Sequence, residues 1–386
     1  MPMFKTPSFV ILPKQVDLRM FGTPIKDQGA LGACVTYTDS SALELQLKRM
    51  NAPTTIDPLK WYDATLAYEG HGRPDGVVPV NALIVGANGV QLTWKEIKVG
   101  IEGWQKSIQD IKGALASGYA VEYAFRAYKW LQNISGPLET HTMVATGDPA
   151  ALNYIGGHQS LIVGYNDTLN GGSFILQNSW GTNYGDKGFY ALSYTTVLDG
   201  MYASVIDGYG AKDFRYTPER VKVVELYAAL FMRAPEYQGL DNWVKHLETK
   251  SADVVAQLMY DVAPARAYYP ANASPEDIIN SFYINVLGRK AEKAGLDHWA
   301  QQLSGKTVGD VITDIIDAVN AYNGPDPLGI ASQKLFFNRC AVGAQYSIIM
   351  QAEDINTASR AFEGVTSNVE TVGVAELNLQ HLLGWM

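Results

Sequence analysis

The second half of the chain repeats itself at a fixed spacing. Leu226-Tyr227 opens a run through Arg233, Gly239-Leu240-Asp241, Trp243 and Leu247. Phe282-Tyr283 opens another through Arg289, Gly295-Leu296-Asp297, Trp299 and Leu303. The offset is constant, since 283 − 227, 289 − 233, 295 − 239 and 299 − 243 all equal 56. Each run begins with apolar residues at i, i+3, i+4 and i+7: Val223, Leu226, Tyr227 and Leu230 in one, Ile279, Phe282, Tyr283 and Val286 in the other. That spacing puts them on one face of a helix. Thr217-Pro218 and Ser274-Pro275 stand just before these faces. A hydroxyl there caps a helix, and proline lacks the N–H that the first turn would leave orphaned. Each unit is therefore expected to be a helix, a turn and a shorter helix carrying the tryptophan. Neither unit can hide its apolar face alone, so the two should pack on one another.

Before residue 212 the texture differs. Glycine, tyrosine and β-type runs such as Ser173-Phe174-Ile175-Leu176-Gln177 dominate. The polar stretch Lys212 to Pro218 separates the two textures, giving expected domains at 1–212 and 217–386. A chain of 386 residues is long enough for two cores. Its net charge of −9 repels phosphate backbones, so nucleic acid is not an expected partner. The apolar run at the N-terminus stops at Pro13, too short for a signal-peptide core, and no apolar stretch reaches the roughly 18 residues that would span a bilayer. The expectation is a soluble chain without a cleaved leader.

Only two cysteines occur, Cys34 and Cys340, which excludes a disulfide framework. Cys34 follows Lys26-Asp27-Gln28-Gly29-Ala30-Leu31-Gly32-Ala33 and precedes a helical pattern over 35–50. The positive end of a helix dipole favours a thiolate there, although a lone cysteine is also often a small buried hydrophobe. His158 opens the apolar, β-prone run that begins Gly156-Gly157-His158-Gln159. Asn178 ends the next such run, after a Gly-rich turn at Asn170-Gly171-Gly172. Neighbouring strands can set His158 beside Asn178. A thiol nucleophile needs a base, and the base needs a group that fixes its tautomer. His71 and His141 read as polar-loop residues, and His246 and His298 as helix-surface ones. With two cysteines the histidines give no zinc spacing, and no phosphate-binding glycine pattern is present, so no metal or cofactor is expected.

Gln28-Gly29-x-x-Gly32-Ala33-Cys34 and Asn178-Ser179-Trp180-Gly181 through Gly188-Phe189 resemble the nucleophile and asparagine segments of the papain family of cysteine peptidases. Val16-Asp17-Leu18-Arg19 resembles the start of a mature member. From the cysteine, the histidine lies 158 − 34 = 124 residues on and the asparagine 178 − 34 = 144, close to that family's spacing of roughly 130–150. The resemblance covers about residues 15–210. It implies an α+β fold in which a helical lobe and a β-barrel-like lobe flank a cleft, followed here by the all-α domain. It further implies that Cys34 attacks the scissile carbonyl and that His158 takes and returns the proton. Asn178 would hold the imidazole, Gln28 donate to the oxyanion, and Trp180 shield the His158–Asn178 bond. Gly76, after Asp75, is expected on the cleft wall.

The chain departs from the family at Leu31, where most members carry a disulfide cysteine, and at Val35-Thr36, where Trp-Ala is usual. Too few residues precede Asp17 for the family's inhibitory prodomain. The pattern Leu287-Gly288-Arg289 … Gly295-Leu296-Asp297-x-Trp299 resembles a helical repeat domain of unknown function, found in bacterial exported proteins and phage proteins. Trp243 and Trp299 read as core rather than ligand platform. The resulting expectation is a cysteine endopeptidase acting on protein or peptide substrates. The helical domain would localise it through a structural protein partner, in a phage virion or by leaderless export. The rival expectation is a catalytically silent papain-fold structural or binding protein, such as a virion component.

Overall fold

The computed structural model describes residues 2–141 and 153–385, and within it the chain forms two compact units. One comprises Met1–Thr6 and Leu12–Arg215, the other Pro7–Ile11 and Tyr216–Met386. The main boundary falls between Arg215 and Tyr216, within the polar stretch Lys212 to Pro218. Pro7–Ile11 departs from the expected 1–212 domain, because the short segment groups with the helical unit. Phe9 is buried, its ring 6.3 Å from that of Tyr216.

The first unit contains β1 (Gln15–Asp17), α1 (Cys34–Arg49), α2 (Pro58–Glu69), α3 (Pro79–Val90), β2 (Thr93–Glu96), α4 (Trp104–Ala116), β3 (Val121–Tyr128), β4 (Tyr154–Asn166), β5 (Ser173–Gln177), β6 (Phe189–Ser193), β7 (Gly200–Tyr209) and β8 (Lys212–Asp213). Among the described residues the strands form one antiparallel sheet in the order β2-β7-β3-β4-β5-β6, with β1 added to β4 and β8 to β7. The fold class is α+β, as expected. On α1, Thr36, Thr38, Asp39, Ser40, Ser41, Glu44 and Gln46 are buried along with Val35, Leu43, Leu45 and Leu47. A helix covered on every side shows little amphipathic pattern. One side of α1 meets α2 and α3 in a cluster of Ala33, Val35, Tyr37, Tyr62, Leu66, Val77 and Ala82. The other side lies on β3 and β4, where Thr38 donates to the Gln159 carbonyl at 3.1 Å. The start of α1 and the middle of β4 thus face each other across the two layers.

The second unit is helical: α5 (Pro218–Leu230), α6 (Tyr237–Leu247), α7 (Ala252–Asp261), α8 (Ala263–Arg266), α9 (Pro275–Leu287), α10 (Lys293–Gln302), α11 (Val308–Asn320), α12 (Pro327–Ala344), a π-helical turn over Gln345–Ile349, α13 (Ile355–Arg360) and α14 (Glu370–Leu382). Thr217 caps α5 through the Arg220 N–H, and Ser274 forms a reciprocal capping box with Asp277 at α9. The repeat pairs α5 with α9 and α6 with α10, and α5 packs on α9. It also extends to α7 and α11, which pack against each other and which the motif spacing alone leaves out. Trp243 and Trp299 are only partly buried, and their side chains hydrogen-bond to Tyr227 and Tyr283 of their own repeats.

Candidate active site

Cys34 is the first residue of α1, half-buried and packed against the helical core. The segment before it is pinned tightly. A Cβ on Gly32 would sit 2.6 Å from the Pro74 carbonyl oxygen, and the Gly32 N–H donates to that oxygen at 3.1 Å. Only glycine allows that approach. The same Pro74–Gly76 stretch is held by the Tyr62 hydroxyl, which donates to the Asp75 carbonyl at 2.5 Å. Gly76 therefore lies beside the nucleophile segment, and the position of its missing side chain is open space.

His158 sits on β4 opposite Phe125 of β3 and is 7% exposed. Its Nε2 donates to Asn178 Oδ1 at 2.8 Å, which leaves Nδ1 as the unprotonated nitrogen of the neutral ring. Asn178 Oδ1 also accepts from the Ser179 N–H at 2.9 Å and the Ser160 hydroxyl at 3.4 Å. The Trp180 ring lies 4.7 Å from the imidazole, and Tyr184 stands edge-on to Trp180 at 5.0 Å. These two aromatics lie beside the His158–Asn178 bond. The Tyr184 hydroxyl donates to the Leu131 carbonyl at 2.8 Å and also lies within hydrogen-bonding influence of Asn178.

The backbone N–H of Gln159, the residue after His158, lies near enough to the Cys34 thiol to favour its ionised form. The start of α1 and the middle of β4 thus approach each other at Cys34 and His158. Burial pushes the Cys34 thiol up, and backbone N–H groups of Gln159, Val35 and Cys34 oppose it. The helix N-terminus acts as the sequence suggests, but desolvation outweighs it. Burial thus works against the thiolate that the helix position favours. Burial likewise pulls His158 down to about 4, against the raising effect of Asn178. Cys340, wholly enclosed in α12, is raised well above the ordinary thiol value by burial.

Gln28 is 8% exposed. Its side-chain N–H donates to the Leu31 carbonyl at 2.7 Å, and its carbonyl accepts from the Ser179 hydroxyl at 2.5 Å. The Gln28 N–H also donates to the Ser179 carbonyl at 2.8 Å. One amide hydrogen of the side chain remains for a ligand. Ser179 thus fixes both Gln28 and Asn178. The motif shows Ser179 as a neighbour of the asparagine, but its role appears only once the two segments meet.

His141 is a correction to the sequence reading. It is buried rather than set in a polar loop, with Nε2 3.0 Å from the Gly136 carbonyl and Nδ1 accepting from the Ala191 N–H at 3.2 Å. His246 and His298 are exposed beside their tryptophans.

Beneath the site lies a carboxyl pair that the sequence does not reveal. Asp39 of α1 and Glu122 of β3 are fully buried and near enough for each to perturb the other's ionisation. Asp39 Oδ1 accepts from Gln159 Nε2 at 2.7 Å, and Glu122 Oε2 accepts from the Ser204 hydroxyl. Burial raises both carboxyls, and for Asp39 the neighbouring Glu122 charge adds to the rise. The charge of one disfavours ionisation of the other, so the pair favours keeping a proton.

Residues 87–205 match the model for the papain family cysteine protease, and residues 256–318 match a domain of unknown function, DUF4214. The first unit carries a papain-family domain. The family match takes in His158 and Asn178 and begins after Gln28 and Cys34. Cysteine proteinase 3 of Entamoeba histolytica is 24% identical over 196 residues, which cover 47% of this chain and 63% of that protein. Cathepsin L1 of Drosophila melanogaster is 27% identical over 206 residues, 48% of this chain and 55% of that one. The chain spans less than two-thirds of the length of these curated relatives. The solved structure of digestive procathepsin L 3 from Tenebrio molitor is similar at a TM-score of 0.43 and 22% identity, covering 53% of this chain and 73% of that one.

Proposed function

We propose that the papain-family domain is a cysteine endopeptidase with Cys34 as nucleophile, His158 as base, Asn178 as its orienting group and Gln28 as oxyanion donor. The observation that carries the reading is the 2.8 Å bond from His158 Nε2 to Asn178 Oδ1. It turns the free Nδ1 lone pair into the proton acceptor, and the Gln159 backbone N–H, next to His158 on the same strand, lies near the Cys34 thiol. Burial opposes either charge alone. A proton passing from Sγ to Nδ1 creates both charges together, and their attraction offsets the desolvation. The thiolate attacks the carbonyl carbon of the peptide bond. The resulting oxyanion is met by the spare Gln28 amide hydrogen and the Cys34 N–H. His158 returns the proton to the departing amine, leaving a thioester on Cys34. Water, deprotonated by His158, then attacks the thioester and releases the acid and the thiol. Gly76 leaves room on the wall for an extended substrate, and Trp180 keeps water from the His158–Asn178 bond. The helical unit serves to bring the peptidase to a protein surface.

Iodoacetamide at limiting concentration, followed by peptide mass spectrometry and a casein-cleavage assay, tests the reading. Cys34 should be modified first and cleavage should fall in step with its labelling. Equal labelling of Cys34 and Cys340, or cleavage that survives complete Cys34 modification, would sink it. A chain that is labelled at Cys34 but never cleaves any peptide would be the silent papain-fold protein instead.

A further inference from the structure

The two repeats of the helical unit carry the same loop, but only one of the loops is covered. In the first repeat, Arg233 stacks on the Tyr227 ring at 5.1 Å and donates to the Ala234 carbonyl at 3.0 Å and to Glu236 at 2.6 Å. In the second, Arg289 stacks on Tyr283 at 5.4 Å and donates to the Lys290 carbonyl at 3.4 Å and to Glu292. Met232 and Gly288, one repeat apart, both take left-handed backbone, with φ of 52° and 71°. The loops therefore present the N-termini of α6 and α10 in the same way. Neither helix has a side-chain cap from its own N-cap residue.

At α6 the orphan donors are met by another segment of the chain. The Tyr237 N–H donates to the Ala352 carbonyl at 3.0 Å, and the Gln238 N–H donates to the Glu353 carboxylate at 3.1 Å. The Ala234 N–H donates to the Ala358 carbonyl at 3.1 Å. The residues one repeat on are Lys293, Ala294 and Lys290. Among the described residues, none of their N–H groups has a partner. This loop is open to solvent: the Glu292 side chain is 58% exposed, against 16% for Glu236. It also borders a cavity of about 440 Å³ lined by Tyr283, Arg289, Glu292, Trp299 and Tyr322 among others. Charge differs between the loops too. Lys290 and Lys293 stand where the first repeat has Ala234 and Tyr237. The Lys293 ammonium is held by Asp297 at 2.7 Å, so Lys290 is the basic side chain that this loop adds, and the helix dipole adds to its pull on an anion.

We propose that the Arg289–Ala294 junction is a docking site for an extended acidic peptide of a partner protein. The peptide gives a main-chain carbonyl to the Lys293 N–H and a carboxylate to the Ala294 N–H, as Ala352 and Glu353 do at Tyr237 and Gln238. Lys290 adds charge recognition, and the aromatic cavity receives an apolar side chain next to the carboxylate. The proposal stands on the helical unit and does not depend on cleavage by the other.

The test uses the full chain and an acetylated peptide copying residues 349–359, which holds the Ala-Glu pair. Titration followed by amide NMR shifts should show saturable binding with Kd below about 1 mM, mapped to Lys290, Lys293 and Ala294. Replacing the peptide glutamate by glutamine should weaken binding about tenfold, the loss expected for a charge-assisted hydrogen bond. Lys293→Pro removes one N–H at the first helical position, where proline fits, and Glu292 before it already has extended backbone with φ −69° and ψ 153°. This variant should stay folded by circular dichroism and lose about tenfold in affinity. If it does not fold, the glutamine peptide decides alone. Three results would overturn the proposal: no saturable shift, equal binding of the glutamine peptide, or shifts centred elsewhere. Inorganic phosphate that binds these amides as tightly and displaces the peptide would also overturn it, because the loop would then be a simple anion site.

Discussion

His158 Nε2 is bonded to Asn178 Oδ1 at 2.8 Å, and the carbonyl end of Asn178 is itself held by the Ser179 N–H at 2.9 Å. The asparagine therefore presents an acceptor and not a donor, and the imidazole keeps its proton on Nε2, the side facing Asn178.

His158→Ala should reduce peptide cleavage by about 10²–10⁴, the span typical of a lost general base. Asn178→Ala should cost less, since it orients and does not transfer the proton. Steady-state kinetics on both variants checks the ranking, with far-UV circular dichroism to confirm that each is folded. Equal losses in two folded variants would mean that Asn178 does more than orient.

Gln28→Ala should lower kcat by about 10²-fold with little change in KM, because the oxyanion exists only in the transition state. Ser179→Ala should lower kcat in the same direction by a smaller factor, about tenfold, because its hydroxyl holds the Gln28 amide at 2.5 Å. A pure KM effect in either variant would place Gln28 against ground-state substrate instead.

Much of this was legible in the sequence because the signals were local. Thr217-Pro218 and Ser274-Pro275 mark helix starts by chemistry that needs no tertiary context, and the 56-residue offset exposes the helix pairs. Other features depend on partners distant in the chain. Ser179 gains its role from Gln28, which lies 151 residues away. His141 looks polar in sequence and is enclosed by Gly136 and Ala191. Phe9 precedes the first unit's own elements yet its ring meets Tyr216. The polar residues of α1, Thr38 and Asp39 among them, are buried because β3 and β4 cover that side of the helix.

Burial sets the acid limb of activity. With His158 pulled down to about 4, the base is neutral and able to accept a proton at any pH well above that value. Protonation below it removes the acceptor, so kcat/KM should fall as pH drops through about 4, rather than through the ordinary histidine value near 6.5. A pH–rate profile of kcat/KM from pH 3 to 8 measures this. A limb near 6.5 would show a solvated His158 and an open aromatic wall.

The Asp39–Glu122 pair should make the first unit sensitive to alkali. Both carboxyls are raised in the fold, so over the range between their unfolded and folded values the native state binds the extra proton. Stability then falls as pH rises through that range, and the contribution is intact only below the unfolded value near 4. Asp39→Asn replaces the acid by an uncharged group of similar shape that can still accept from Gln159 Nε2 through its carbonyl and donate to Glu122 from its amide. Its stability should decline less between pH 5 and 9 than that of the parent chain. Because α1 carries Cys34 five residues before Asp39 and Gln159 follows His158, the parent should also lose cleavage on the alkaline side sooner than the variant. Urea unfolding at several pH values, followed by tryptophan fluorescence, gives the first comparison, and the pH–rate profile gives the second. Parallel stability curves for the two proteins would mean that the pair holds no shared proton and that both carboxyls are ionised in the fold.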